Sequence, residues 1–296
     1  MSDLPIGQGH GLSGRFAGLP DEFANLENAK IVILPVPFDL TTTYQHGTNK
    51  GPAALIEASR NIELYDIETG SEIYKKGIFT APAVTENSCE TMRFALKKAV
   101  DEFLKENKFI VTLGGEHSIS FSPIQAHVEH FPNLSILQFD AHADLQNAYE
   151  GNLWSHASVM ARVIELPVSS TVAVGIRSMS SEELENQKNV HTFFAHEIQD
   201  NSEWMEKAVN LIADDVYITF DLDVFDSSIM SSTGTPEPGG MNWHQVMKFL
   251  KLVIERKNLV GFDVVELCPS QSNLAPDYLA AKLVYKILSY KFKTEQ

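Results

Sequence analysis

Six short runs of aliphatic and β-branched residues recur along the chain: IVILPVPF at 31–38, FIVTL at 109–113, SILQF at 135–139, TVAVGI at 171–176, VYITF at 216–220 and LVGFDVVEL at 259–267. Each is apolar at nearly every position rather than at alternate ones. That is the pattern of strands buried on both faces, as in parallel sheets. Between the runs lie segments whose apolar residues repeat at three- and four-residue intervals, at 51–65, 89–107, 156–165, 203–213 and 242–256, and another, 277–291, closes the chain. These read as helices with one apolar face. Alternating strands and helices predict an α/β fold in which a mostly parallel sheet is covered by helices on both sides.

No proline- or serine-rich linker and no internal repeat divides the sequence, so residues 1–296 read as a single domain. The opening segment, 1–28, is glycine-rich and lacks periodicity up to about Pro20, which predicts a surface loop or a subunit-contact arm. A chain of 296 residues can bury a large core. With 44% hydrophobic and 21% charged residues it falls among ordinary globular proteins. The N-terminus lacks the basic stretch and apolar core of a secretion signal, and no apolar run is long enough to span a membrane, so a cytoplasmic location is expected. The two cysteines, Cys89 and Cys268, are unclustered and suggest neither a disulfide framework nor a zinc knuckle. A formal charge of −16 disfavours nucleic acid and anionic membranes as partners and favours metal cations and amines.

Ligands of open α/β sheets bind beyond the carboxyl ends of the strands, and here those ends are rich in Asp and His. FIVTL runs into GGEHS, which carries His117; SILQF runs into DAHAD, with Asp140, His142 and Asp144 at alternate positions; VYITF runs into DLDVFD, with Asp221 and Asp223. On an extended backbone alternate side chains share one side, so the DAHAD trio can converge. Four carboxylates and two imidazoles gathered together would repel one another and resist burial unless cations neutralised them. Two divalent ions meet that need, each with about four protein ligands if Asp140 and Asp221 bridge, and with room for water between them. A donor set dominated by carboxylates, with one His per ion, suits Mn²⁺ better than Zn²⁺. Any one of these residues alone would read as a loop cap or a satisfied hydrogen bond. Six of them at three strand ends do not.

GGEHS, DAHAD and FDLDVFD match, in order and spacing, three signatures of the arginase and agmatinase superfamily, and the chain most resembles the agmatinases. The resemblance extends to TTTYQHGTNKGPAALIEASRNIELYD at 41–66, GTPEPGG at 234–240 and DVVELCP at 263–269. It implies a three-layer α/β/α domain with a central eight-stranded sheet, two Mn²⁺ per chain, a small cationic guanidine substrate and a homo-oligomer, trimeric or hexameric. It assigns His117, Asp140, Asp144 and Asp221 to one ion, and Asp140, His142, Asp221 and Asp223 to the other. His156, in NLWSHASVM, falls where the family places a mobile His that exchanges protons with solvent; on its own it reads equally as a helix cap. Glu266 matches the family's guanidinium-binding Glu, a task suited to a carboxylate because it accepts paired bonds from a planar cation. GTPEPGG is expected to form a rigid loop at the site's mouth.

The implied chemistry is hydrolysis of a guanidinium C–N bond, with Glu266 holding the cation, Asp144 passing a proton to the departing amine and His156 returning one to solvent. Arginases place carboxylates after a Gly-x-Arg strand end to receive the substrate's α-ammonium. This sequence reads GIRSMSSEE, with Ser178 and Ser180 in those positions. That favours a substrate without an α-amino acid head, agmatine above all, giving putrescine and urea. Guanidinobutyrate, arginine and formiminoglutamate stay open as alternatives. Arg177 is a candidate for a positive residue at the mouth, against a structural role as an ion-pair partner. A catalytically silent metal-binding protein of the same fold is the alternative from outside enzymology.

Overall fold

The computed structural model describes residues 14–199 and 201–293. Its eight strands are β1 (Ile31–Val36), β2 (Ile78–Thr80), β3 (Phe109–Gly114), β4 (Ser135–Phe139), β5 (Ser170–Ile176), β6 (His191–Phe194), β7 (Asp215–Asp221) and β8 (Asn258–Val265). They form one sheet in the order β2-β1-β3-β8-β7-β4-β5-β6, and every pairing is parallel. Six of the eight are the apolar runs of the sequence. The other two are the edges. β2 has three residues, and β6 (HTFF) is only partly buried, so neither carries the uninterrupted apolar pattern of a central strand.

The helices are α1 (Gly51–Ser59), α2 (Cys89–Lys105), α3 (Phe121–His130), α4 (Val159–Val163), α5 (Leu184–Gln187), α6 (Glu203–Leu211), α7 (Trp243–Arg256) and α8 (Ala275–Phe292). Strand alternation divides the core into two layers. Ile31 and Ile33 of β1, with Val216, Ile218 and Phe220 of β7, pack against α1, α6, α7 and α8. Val32, Leu34 and Val36 of β1 face α2, and Ile136 of β4 and Tyr217 of β7 face α3 and α4. Helix α3 is absent from the periodicity reading because FSPIQAHVEH places Ser122 and His127 among its buried positions. Helix boundaries follow local chemistry: Ser88 caps α2 through the Thr91 N–H, and Asn242 and Gln245 form a capping box at α7. α8 is buried along most of its length, with Lys286 paired to Asp66 and Glu68 inside that contact.

Of the opening segment, residues 1–13 lie outside the described residues. Phe16 and Leu19 are buried in the core layer of α1, and the Phe16 N–H donates to the Thr80 hydroxyl at the β2 edge. No helix among the described residues is long and apolar enough to cross a membrane. Cys89, which opens α2, and Cys268, just past β8, are half-buried free thiols whose pKa values burial pushes up.

Candidate metal centre and substrate cavity

The site is assembled by the register of the four central strands. Gln138 of β4 lies beside Thr219 of β7, Thr219 beside Asp263 of β8, and Asp263 beside Thr112 of β3. These buried polar side chains form a row across an otherwise apolar sheet. Two residues further along the same face come Asp140, just past β4, and Asp221, the last residue of β7. The close approach of chains at the β3 end fixes GGEHS: a Cβ on Gly115 would stand 2.0 Å from the Phe38 carbonyl oxygen, and one on Gly114 would stand 2.7 Å from Ile119. Neither glycine has positive φ. They are there to let backbones meet, not to supply a left-handed turn.

Donor atoms converge in two groups, His117 with Asp140 and Asp221, and Asp140 with His142 and Asp223. Asp140 belongs to both. His117 Nδ1 lies 3.0 Å from Asp140 Oδ2, 3.0 Å from Asp144 Oδ2 and 3.4 Å from Asp221 Oδ2. His142 Nδ1 lies 2.9 Å from Asp223 Oδ2. Asp144 stands outside both groups and Asp221 outside the second. The extended backbone expected through DAHAD ends early: His142 forms an isolated bridge with Ser178, and Asp144 is reached through a left-handed backbone, φ 55°. The Asp144 carbonyl anchors that turn by accepting from the N–H groups of Met160 and Ala161 at the start of α4.

The hydrogen-bond directions show what the cluster is built to hold. Asp263 accepts from the hydroxyls of Tyr217 (3.0 Å) and Thr219 (2.9 Å). With its proton committed to Asp263, the Thr219 hydroxyl accepts from His117 Nε2–H at 2.9 Å. Nδ1 is therefore the free edge of the ring, close to three carboxylate oxygens yet aligned on none of them as a hydrogen bond. Donor atoms about 2 Å from one divalent ion stand about 3 Å apart, which is the spacing around His117 Nδ1. A buried carboxylate orienting the far nitrogen of a His is a common support for a metal ligand.

Charge gives the same answer. Burial, then the neighbouring Asp140, pushes Asp144 up to about 7; burial, then Glu116, pushes Glu266 up to about 8. Burial, then Asp223, Asp140 and Glu266, holds Asp221 well above the usual carboxylate range. Asp140 goes the other way: burial raises it, but the facing imidazoles of His117 and His142 outweigh that. His142 rises to about 12 although burial opposes it, since Asp223 and Asp140 face the ring. Five buried acids, Asp140, Asp144, Asp221, Asp223 and Glu266, share two imidazoles; with all five ionised, protons on both rings would still leave an excess of negative charge, and the upward shifts of Asp144, Asp221 and Glu266 express that cost. Divalent cations would remove it. The residues fit a carboxylate-rich metal centre.

Beside the cluster lies a cavity of about 190 Å³, lined by His117, Asp144, His156, Ser178, Ser180 and Glu266 among others. His142, Asp221 and Asp223 line it too, and Asp140 stands behind them against His117. His156 opens the short 3-10 turn His156–Ser158; Ser155 holds the cap position, and the imidazole lines the cavity instead. Burial lowers its pKa to about 4, with the two other histidines adding to the effect. Glu266 is buried, at φ 66°, with its N–H on the Gly115 carbonyl. Gly234 and Thr235 of the GTPEPGG loop also line the cavity. Arg177 does not. Its guanidinium donates to the carbonyls of Gly175, Asp223, Phe225, Glu237 and Pro238, so it clamps the mouth loop to the end of β7 without meeting a carboxylate.

The sequence did not single out Thr219, Gln138 and Thr41, which bond to His117, Asp140 and His156, nor Asp263 and Glu116, which bond in turn to Thr219 and Thr41. Asp263 carried a signal, an acid inside an apolar strand, which calls for a buried partner. Gln138 donates at 2.9 Å to Asp140 Oδ2 and had the same signal.

An all-parallel sheet with acids and histidines gathered at its central carboxyl ends is the setting of a metal-dependent hydrolase. Residues 29–289 match the model of the Arginase family, and the chain belongs to that family. Over 293 residues it is 33% identical to the N(1)-aminopropylagmatine ureohydrolase of Synechocystis sp., covering 93% of this chain and 95% of the relative. It is 37% identical over 272 residues to the enzyme of the same name from Thermus thermophilus, covering 90% and 91%. The solved structure of the agmatine ureohydrolase of Thermoplasma volcanium superposes with a TM-score of 0.87 at 29% identity, covering 95% of each chain.

Proposed function

We propose that this chain hydrolyses the guanidinium group of agmatine to putrescine and urea, with two manganese ions as cofactor. The observation that carries the reading is His117 Nδ1, set at 3.0, 3.0 and 3.4 Å from oxygens of Asp140, Asp144 and Asp221 in a cavity that Glu266 also lines. On this reading His117, Asp140, Asp144 and Asp221 hold one ion, and Asp140, His142, Asp221 and Asp223 the other. Bound together, two such ions supply a water acidic enough to act as nucleophile near neutral pH.

The chain's own residues do the rest. Glu266 binds the planar cation through paired, charge-assisted bonds and sets its carbon in line. Asp144 passes a proton to the departing amine, and His156 carries one to solvent. Ser178 and Ser180 offer hydroxyls at the wall where a substrate with an α-ammonium would need carboxylates. Assembly as a homotrimer or hexamer belongs to the same reading.

A second substrate, N(1)-aminopropylagmatine, is favoured by the relatives at 33% and 37% identity that carry its name. It shares the guanidinium end and differs in the length of the amine tail. Urea release after manganese loading, measured side by side on agmatine, N(1)-aminopropylagmatine, arginine, guanidinobutyrate and formiminoglutamate, separates the readings. Agmatine is expected to give the highest kcat/KM. A higher value for the aminopropyl compound would move the assignment to it, and a win by arginine would remove the argument from Ser178 and Ser180. No turnover on any of them would leave a silent metal-binding protein.

A further inference from the structure

The support that orients His117 at the floor of the site has a counterpart at its wall. Glu116 is fully buried and accepts three bonds: from the Thr41 N–H at 2.6 Å, from the Thr41 hydroxyl at 2.8 Å and from the Ser118 hydroxyl. The Thr41 oxygen, its hydrogen committed to Glu116, has two lone pairs left. Two groups of one residue approach it: the His156 N–H at 3.0 Å and the His156 ring nitrogen Nδ1 at 3.2 Å. Since that oxygen has no second proton to give, Nδ1 must carry the hydrogen. Nε2 is then the nitrogen with the lone pair.

We propose that Thr41, held by Glu116, is a positioning residue that fixes His156 as its Nδ1–H tautomer and keeps Nε2 as the ring's proton acceptor. The inference rests on the reading in which His156 carries a proton. In that step Nε2 takes one proton from the reacting side, giving an imidazolium whose Nδ1–H stays on Thr41, and the same proton then leaves from Nε2 to solvent. Glu116 reaches the ring only through the Thr41 hydroxyl, whose direction it fixes. The relay parallels Asp263–Thr219–His117, so each of the two histidines is oriented by a threonine backed by a buried carboxylate.

The test compares Thr41→Val, Thr41→Ser and His156→Asn in the manganese-loaded protein, with kcat and KM for agmatine, bound metal and melting temperature measured for each. Thr41→Val is expected to lower kcat about tenfold to a hundredfold, within the usual range for proton-transfer assistance, with KM and bound metal unchanged. Thr41→Ser, which restores the hydroxyl, is expected to recover most of it. ¹⁵N spectra of histidine-labelled, metal-free protein read the tautomer directly: His156 should be Nδ1–H in the parent and mixed in Thr41→Val. If Thr41→Val destabilises the fold, Thr41→Ala and the parent's spectrum carry the test. Wild-type kcat in Thr41→Val alongside an impaired His156→Asn, or an Nε2–H parent, overturns the proposal. Full activity in His156→Asn overturns instead the proton-carrier reading on which the catalytic part rests, and the spectra still decide the positioning.

Discussion

The backbone N–H of His117 donates a 2.7 Å hydrogen bond to Glu266 Oε1, so the residue whose Nδ1 faces the carboxylate cluster also fixes one oxygen of the carboxylate proposed to receive the substrate. Oε2 is left beside Gly234, where a Cβ would come within 3.2 Å of it. Glu266→Gln tests this division of labour. The amide oxygen can still accept from His117, but an NH₂ then replaces the acceptor meant for a guanidinium. We expect kcat/KM for agmatine to fall about 10²-fold or more, the scale of losing a charge-assisted pair and opposing two donors. Bound manganese and melting temperature should hold, since a buried acid pushed up to about 8 has been replaced by a neutral group. Loss of metal on the same scale would show that Glu266 serves the centre rather than the substrate.

Asp140 is the residue common to both donor groups, and Asp144 belongs to neither. Asp140→Asn should therefore abolish turnover and strip most of the bound manganese, as should Asp221→Asn if it bridges as proposed. Asp144→Asn should lose turnover while keeping more of its metal. Elemental analysis of the purified variants beside urea assays gives the comparison, and full metal occupancy in Asp140→Asn would show the bridging assignment to be wrong.

The central strands and the Asp/His cluster at their ends were readable because each leaves a local mark: β1, β3, β4, β7 and β8 are apolar at most positions, and Asp140, Asp221 and their neighbours stand where those runs stop. The supports are a different matter. Thr219 and Asp263 face each other only through the pairing of β7 with β8, and Thr41 meets Glu116 across 75 residues of sequence. Such contacts come from register and chain crossing, which no window of sequence contains. The left-handed backbones of Asp144 and Glu266 were hidden for a related reason: sequence preference would place Gly or Asn there, and the surrounding bonds hold the acids in place instead.

Thr219→Val removes the hydroxyl between Asp263 and His117 while keeping the shape of the side chain. The His117 ring then loses the acceptor that keeps its hydrogen on Nε2, and Asp263 loses one of its two donors. Metal affinity, measured by equilibrium dialysis, is expected to fall about 10- to 100-fold, the usual cost of removing the outer partner of a ligating His. Thr219→Ser should retain most of the affinity. An unchanged affinity in Thr219→Val would mean that packing alone orients the ring.

His127 gives a prediction about acid stability that is separate from the metal centre. It lies fully buried in α3, with Nδ1 on the Pro123 carbonyl at 2.7 Å, and a Cβ on Gly261 would come within 2.4 Å of its Nε2. Burial, with His130 nearby, lowers its pKa to about 4 from the 6.5 of a free side chain. Between those values the unfolded chain binds the proton that the folded chain refuses. The stability owed to a neutral His127 is therefore complete above pH 6.5 and is lost as the pH falls toward 4, by about 3 kcal/mol over the full interval. Metal ligands titrate too, so the measurement is a difference: urea unfolding of the parent and of His127→Asn, each at pH 7.5 and pH 5. The variant should be less stable at pH 7.5, because a small cavity opens in the α3 layer, yet lose less on acidification than the parent does. Equal acid sensitivity in the two proteins would place the parent's acid lability elsewhere, with the carboxylates of the metal centre the next group to test.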